Sequence, residues 1–250
     1  MNKHGLNGNQ LKLIAVVTMI LDHIGYLIVG GGILSALTVG SPEYDKWLLV
    51  YRALRCIGRI AFPVYCFLLV EGYFHTRNWK NYALRLAALA VLSEIPFDLM
   101  LQGTIPYWQT QNVFVTLLLS LLMMGVSEEI GKRFYGEVGV MLQFAAICGF
   151  AGLARFVQCD YEDIGIGLVV LFYCLRGKGP WWYLLCFAWM GVTGTPVYQL
   201  PGIAASLFLI ACYNGRQGGF AGKRCGKVFF YLFYPVHLMV LYLIYRVMFV

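Results

Sequence analysis

The sequence predicts an all-α fold, a polytopic membrane helix bundle of about nine transmembrane helices with its N-terminus in the cytoplasm. Composition is the first of three observations behind this. Of 250 residues, 60% are hydrophobic and 12% charged, with a mean hydropathy of +0.70, well above the roughly 45–50% apolar content of soluble domains. Patterning is the second. Hydrophobic runs fall near residues 10–30, 47–74, 83–101, 110–126, 138–157, 163–175, 181–196, 200–213 and 227–248, and a hydrocarbon core of about 30 Å needs roughly 20 helical residues to cross. The runs at 163–175 and 200–213 are short for this, so they read as partial, tilted or broken helices, and the count is bracketed at seven to ten. Charge is the third. Lys3, then His75, Arg77, Lys80 and Arg85, then Lys132 and Arg133, then Arg176 and Lys178, then Arg216, Lys223, Arg224 and Lys227 occupy every second connecting segment. The intervening segments are neutral or carry Glu43, Asp45 and Lys46, or Asp160, Glu162 and Asp163. Basic segments stay on the cytoplasmic side, which orients the chain.

These features also exclude classes. A β-barrel would show short alternating segments, and none is present. The net charge of +7 sits in loops between apolar runs, with no basic stripe interleaved with aromatics as in a nucleic-acid module. The first apolar run is long and followed by others, so it reads as a retained helix rather than a cleaved leader. Of eight cysteines, six fall inside apolar runs as small hydrophobes. Cys159 and Cys225 are expected on opposite sides of the membrane, which rules out a structural disulfide between them. No Pro-, Ser- or charge-rich linker divides the chain, so residues 1–250 read as a single domain.

Taken in order, the first run carries Asp22 and His23 in its interior. Ionisable groups at membrane depth are expensive and mark functional sites. Lys12 precedes His23 by eleven positions, which returns to within about 20° of the same helix face at an axial distance of about 16 Å. A cation near the cytoplasmic mouth and an imidazole deep in the bilayer would then share one seam, a line that an extended pantetheine arm could bridge. The second run carries Arg52, Arg55 and Arg59 on one face, with a helix kink expected at Pro63. A guanidinium keeps its proton, so each needs an anion, water or a route to the headgroups. Arg52 reads as snorkelling to the outer interface. For Arg55 and Arg59, pairing with Asp22, Glu94 or Asp98 stands against the favoured role towards phosphates or a reacting carbonyl.

The third run holds Ser93-Glu94-Ile95-Pro96-Phe97-Asp98. Glu94 and Asp98 are candidates for substrate contact or an acid/base pair, and are more simply read as neutralising the arginine ladder. Asn112 opens the fourth run and either caps that helix or touches substrate. The fifth to eighth runs carry little chemistry. The last holds Phe233-Tyr234-Pro235-Val236-His237, where His237 is either a satisfied core histidine or a second intramembrane functional group.

Gln10-Leu11-Lys12 through Asp22-His23-Ile24-Gly25, Arg59 to Tyr65, Glu71-Gly72 with His75-Thr76, Ser93 to Asp98, Asn112-Val113-Phe114 and Phe233 to His237 together resemble the TraX family. The resemblance spans nearly the whole chain. It implies an integral membrane protein of the bacterial inner membrane akin to conjugative pilin N-acetylases. The wider group it is similar to is the transmembrane acyltransferases, which include the acyltransferase-3 and heparan glucosaminide acetyltransferase proteins. That likeness implies a basic or polar residue and a histidine with ten positions between them in an early helix, matched by Lys12 and His23, and a late Tyr-x-x-His matched by Tyr234 and His237. The expectation is acetyl transfer from cytoplasmic acetyl-CoA to a peptide amine or sugar at the outer face. His23 is the expected base with Asp22, Arg55 and Arg59 as catalytic companions. Lys12, Arg59, Tyr234 and His237 would bind the donor, and Arg52, Glu94, Asp98 and Asn112 the acceptor. The chemistry calls for no metal, and partners are limited to acetyl-CoA, the acceptor, lipids and a possible second copy of the chain. The rival class is a transporter or export component, although no inverted repeat or matched pair of broken helices is visible.

Overall fold

The computed structural model describes residues 5–179, 181–219 and 224–250. The predicted flank residues Lys3 and Lys223 lie outside the described residues, as do the side chains of Arg224, Cys225 and Lys227. Among the described residues the chain is helical and has no extended strand. The helices are α1 (Gly8–His23), α2 (Pro42–Gly58), α3 (Ala61–His75), α4 (Trp79–Gln102), α5 (Val113–Arg133), α6 (Gly136–Phe156), α7 (Glu162–Cys174), α8 (Trp182–Val192), α9 (Leu200–Ala211) and α10 (Arg224–Phe249). A π-helical stretch, Ile24–Leu34, continues α1, and a 3-10 turn, Val197–Gln199, leads into α9. Each predicted run therefore coincides with helix. Five stretches are long and apolar enough to cross a membrane: Gly8–Leu34, Pro42–His75, Val113–Arg133, Gly136–Phe156 and Val228–Phe249. Of the shorter helices, α7 and α9 are those for which the hydrophobic run itself is short, and α8 covers only part of the 181–196 run.

The outward faces are apolar. On α6, Val138, Met141, Phe144 and Phe156 are all exposed, and on α10 Val236, Val240, Leu243 and Val247 are too. Contiguous apolar surface of this kind is tolerated when hydrocarbon rather than water surrounds it. The polar side chains turn inward: Thr18, Asp22, Ser93, Asp98, Asn112, Thr116 and His237 are buried.

Two local features differ from the expectation. The second run is not one helix kinked at Pro63. It breaks at Arg59–Ile60, and Pro63 is the third residue of α3, where its missing N–H would have had no intrahelical partner in any case. The first run does not stay α-helical either, since from Ile24 it widens into a π-helix of 11 residues. Such helices are rare and short elsewhere and gather at functional sites. Gly30, Gly31 and Gly32 lie in it, and a Cβ on Gly32 would meet the Phe249 ring at 2.5 Å, so α10 packs against the stretch only because a side chain is missing there.

The chain forms two compact units. The first comprises Met1–Tyr65, Ile95–Ile105 and Gly194–Val250, and the second Cys66–Glu94 and Pro106–Thr193. In the first, Asn7 caps α1 through its side chain and a reciprocal bond with Gln10. The segment before α1 is tied to the one after α9 by Leu6 N–H donating to the Cys212 carbonyl at 2.8 Å and Asn214 N–H to the Leu6 carbonyl at 2.9 Å. In the second, α5, α6, α7 and α8 pack in sequence, with Trp189 Nε1 of α8 donating to the Ile164 carbonyl of α7 at 2.9 Å.

Candidate active site

α1 is regular from Gly8 to His23, so Lys12 and His23 do lie along one seam of the helix, as their spacing predicts. α10 faces it in the same unit. Near the start of α10 the Phe230 ring sits 5.6 Å from Lys12 Nζ, a cation–π contact. Seven residues further along, His237 meets His23, with His23 Nδ1 2.7 Å from His237 Nε2. The ring centres are 4.9 Å apart and the rings inclined by 19°. That centre separation exceeds the N···N distance by about one ring diameter, so the nitrogens lie on the line joining nearly coplanar rings. This is an edge-to-edge hydrogen bond with near-ideal alignment.

The backbone assigns the tautomers. His237 Nδ1 lies 2.9 Å from the Phe233 carbonyl oxygen, which only accepts, so Nδ1 carries the proton and Nε2 a lone pair. His23 Nδ1 must therefore be the donor between the rings. That leaves His23 Nε2 without a proton in the neutral pair, with its lone pair available as a base or nucleophile. Aromatic rings hold the arrangement: Phe233 stacks parallel on His237 at 4.7 Å and 7°, and Tyr234 meets both imidazoles edge-on, at 6.3 Å from His23 and 5.5 Å from His237. Tyr234 and His237, expected on the donor, are thus the immediate surroundings of His23.

Asp22 is one residue from His23 and turns to a different helix. Arg55 Nη1 of α2 donates to Asp22 Oδ2 at 2.5 Å, and Arg59 Nη2 lies 3.3 Å from Oδ1. The first of the pairings open to the arginines is therefore the one observed for Arg55 and Arg59, and the orienting partner of His23 is a histidine rather than a carboxylate. Gly58 makes the approach possible, since a Cβ there would fall 2.1 Å from Asp22 Oδ1. Arg55 also stands 5.5 Å over the Tyr26 ring, and its buried Nε–H donates to nothing among the described residues. Arg52 leaves the ladder: it is exposed and lies 5.7 Å from the Tyr198 ring.

On the side of His23 away from Lys12, a cleft of about 900 Å³ opens between the π-helical stretch, α2, the end of α4 and the end of α10. Tyr26, three residues beyond His23, is part of its wall, with Tyr44, Tyr51, Tyr242, Tyr245 and Arg246. Lys12, His23 and His237 do not line it. Sequence reasoning passed over these tyrosines because single aromatics in apolar runs carry no signal of convergence.

A protein-family comparison matches the TraX protein model to residues 7–245. The chain belongs to the TraX family. It is also 32% identical over 255 residues, covering 93% of each chain, to a probable fimbrial assembly protein FimC, serogroup H1, of Dichelobacter nodosus. No solved structure matches. The segments through which the sequence resembles TraX thus include both imidazoles, Asp22 and one of the two arginines that hold it, Arg59.

The remaining TraX-like segments organise the second unit. Asn112 accepts from Phe114 N–H at 3.0 Å and so caps α5, while its amide donates to the Ala90 carbonyl at 2.8 Å and to Glu94 Oε2. Glu94 and Asn112 therefore join α4 to the start of α5. Ser93 beside them is fully buried, and its hydroxyl has no hydrogen-bond partner among the described residues. Glu71 accepts from Arg176 Nε at 2.6 Å, and Tyr73 donates to Glu128. Asp98, which belongs to the first unit, is buried at the end of α4. No group of three His, Cys, Asp or Glu among the described residues is placed to hold a metal ion.

Proposed function

We propose that this TraX protein is an integral membrane acetyltransferase that moves an acetyl group from acetyl-CoA to an acceptor amine or hydroxyl. The observation that carries the reading is the His23–His237 pair, because a carbonyl-anchored second imidazole leaves His23 with an unprotonated Nε2 at membrane depth. As the acceptor nitrogen attacks the thioester carbonyl, His23 Nε2 takes the amine proton, and the positive charge that develops on His23 is shared along the Nδ1–H bond to His237. Collapse of the tetrahedral intermediate breaks the C–S bond, and the proton on Nε2 passes to the departing thiolate. The products are the acetyl amide and free CoA. The unpaired Nε–H of Arg55 is the donor best suited to the oxyanion, a role worth about 3–4 kcal/mol in comparable holes. Lys12, on the far side of α1 from the cleft, suits the donor's phosphates.

Membership of the TraX family, which the sequence resemblance links to pilin N-acetylation, supports the same reading, as does similarity to a probable fimbrial assembly protein. The basic connecting segments support an inner-membrane location with Lys12 towards the cytoplasm. The wider acyltransferase likeness would make the donor side cytoplasmic and the acceptor side external. The test is turnover of labelled acetyl-CoA by the purified protein in detergent, with a peptide amine as acceptor. His23→Ala is expected to lower the rate by about 10²–10⁴-fold, the range of general-base catalysis, with helicity unchanged. Wild-type protein that neither binds acetyl-CoA saturably nor consumes it would overturn the enzyme in favour of an export component.

A further inference from the structure

The cleft is separate from the histidine pair, since neither imidazole lines it, and it collects the ends of several segments. Its walls are the π-helical stretch with the residues after it to Val39, the first turns of α2, the end of α4 and the end of α10, all within the first unit. The alternation of basic segments puts each of those ends on the outer side of the membrane, and the structure brings them to one place. The cleft thus lies where hydrocarbon gives way to water. Leu27 and Met100 are buried at its floor, whereas Ser35, Val39, Gln102 and Arg246 are exposed at its rim. Tyr242, Tyr245 and Arg246 share one face of α10 by their spacing. The Tyr245 hydroxyl lies 3.5 Å from the Gly31 carbonyl oxygen, and Arg246 Nη1 lies 3.5 Å from the Tyr242 hydroxyl. From α2 the Tyr51 ring closes on Gly30, where a Cβ would fall 3.0 Å from it. Tyr26 and Tyr44 complete a set of five half-buried tyrosines. The ordinary account is an interfacial aromatic belt with a cation that complements the dipole of the last turn of α10. Belt residues face lipid one by one, but these rings converge on a concavity of about 900 Å³, the size of a small-molecule site.

We propose that this cleft is a lipid site that holds one phospholipid of the outer leaflet with a net negative, amine-free headgroup. It goes beyond the acetyl-transfer reading and stands whether or not that reading does. Charge decides the headgroup. Arg246 is the charged side chain among the lining residues, no carboxylate is among them, and no ion pair joins Arg246 to an acidic side chain among the described residues. A guanidinium in this position meets a phosphate bidentately, and basic pockets between membrane helices hold lipid headgroups in this way. A headgroup amine would find no anion and would face the guanidinium. Glycerol hydroxyls would instead meet the tyrosine hydroxyls and Gln102, each able to donate and accept. Below the phosphate, the leucines and Met100 offer acyl chains the apolar contact that a soluble anion could not use. Gly30 and Gly31 keep the π-helical wall free of side chains, so a chain can lie against its backbone.

The test uses the purified, delipidated full chain in detergent, titrated with dioleoyl phosphatidylglycerol, phosphatidylethanolamine or phosphatidylcholine. Lipid retained in native mass spectrometry and the shift in melting temperature are both read. One phosphatidylglycerol is expected to bind about tenfold more tightly than phosphatidylethanolamine, the usual worth of a charge-assisted bond, and to raise the melting temperature. Arg246→Gln is expected to erase that preference while some lipid is still retained. Gly31→Leu acts differently. A Cβ at Gly31 would stand 3.7 Å from the Tyr245 ring, an ordinary contact, so the larger side chain fills the cleft and is expected to lower retention of all three lipids. Equal retention of the two headgroups by the native protein, which needs no variant, would overturn the proposal. So would a preference that survives both Arg246→Gln and Gly31→Leu, since the lipid would then belong to the general annulus. Tighter binding of phosphatidylcholine would make the tyrosines a cage for an ammonium group, and displacement of the lipid by equimolar glycerol 3-phosphate would make the site one for a free phosphate. Either result would overturn it as well.

Discussion

At the scale of single residues, the site turns on two adjacent side chains that part company. Successive helical residues diverge by about 100°, so Asp22 looks at α2 while His23 looks at α10. The roles of His237 and Asp22 then separate experimentally. His237→Leu removes the acceptor for His23 Nδ1–H and frees the ring to adopt the other tautomer, and it is expected to lower kcat about 10–100-fold with little change in the KM for acetyl-CoA. His237→Gln, whose amide oxygen accepts the same bond, should recover part of the loss. A rise in KM with kcat unchanged would instead return His237 to donor binding. Asp22→Asn acts on stability. The Asp22 and Arg55 side chains keep 13% and 17% of their exposure, so removing the anion takes from two guanidiniums the carboxylate they share. The expected cost is about 3–5 kcal/mol, seen as a lower melting temperature in detergent. Unchanged melting would mean that other groups satisfy both arginines.

At the scale of elements, close approach of helices depends on what is missing from them. Gly58 lets α2 deliver Arg55 and Arg59 to α1, and a Cβ there would overlap the Asp22 carboxylate. Gly58→Val is expected to destabilise by about 1–3 kcal/mol through overpacking and to reduce activity by displacing the α1 seam. A variant of native stability and turnover would show that the contact is not needed. The π-helical stretch follows His23 directly and gives the cleft part of its wall. Sequence periodicity read this stretch as a continuing α-helix because three glycines among aliphatics look alike at either period. Likewise, the break at Arg59–Ile60 was assigned to Pro63, the residue with the stronger local signal.

For the whole molecule, the outward apolar faces of α6 and α10 and the inward polar groups are those of a chain folded in lipid. Orientation follows from the alternation of basic segments. Trp108 before α5 and Tyr135 after it are both exposed and flank one long apolar helix. Trp108→Cys is expected to react with a membrane-impermeant maleimide in intact cells, and Tyr135→Cys only after permeabilisation. The opposite pattern would invert the topology and move the donor side. Cys159, in the loop between α6 and α7, should stay unlabelled until the protein unfolds, since burial pushes its thiol up.

Hydrophobic run length, the positions of basic residues and the eleven-residue step from Lys12 to His23 were legible in the chain by itself, because membrane solvation and helix geometry act locally and repeat with a fixed period. Family membership could be read there too, from short segments such as Arg59 to Tyr65 and Phe233 to His237. Which partner each buried charge takes was decided only by the tertiary structure. Asp22 had three arginines within reach of argument and His237 had none of its eventual partners nearby in sequence, since a pairing between residues 214 positions apart is set by how α1 and α10 pack. The tyrosine-lined cleft has the same origin, as its walls come from four separate segments that no linear pattern brings together.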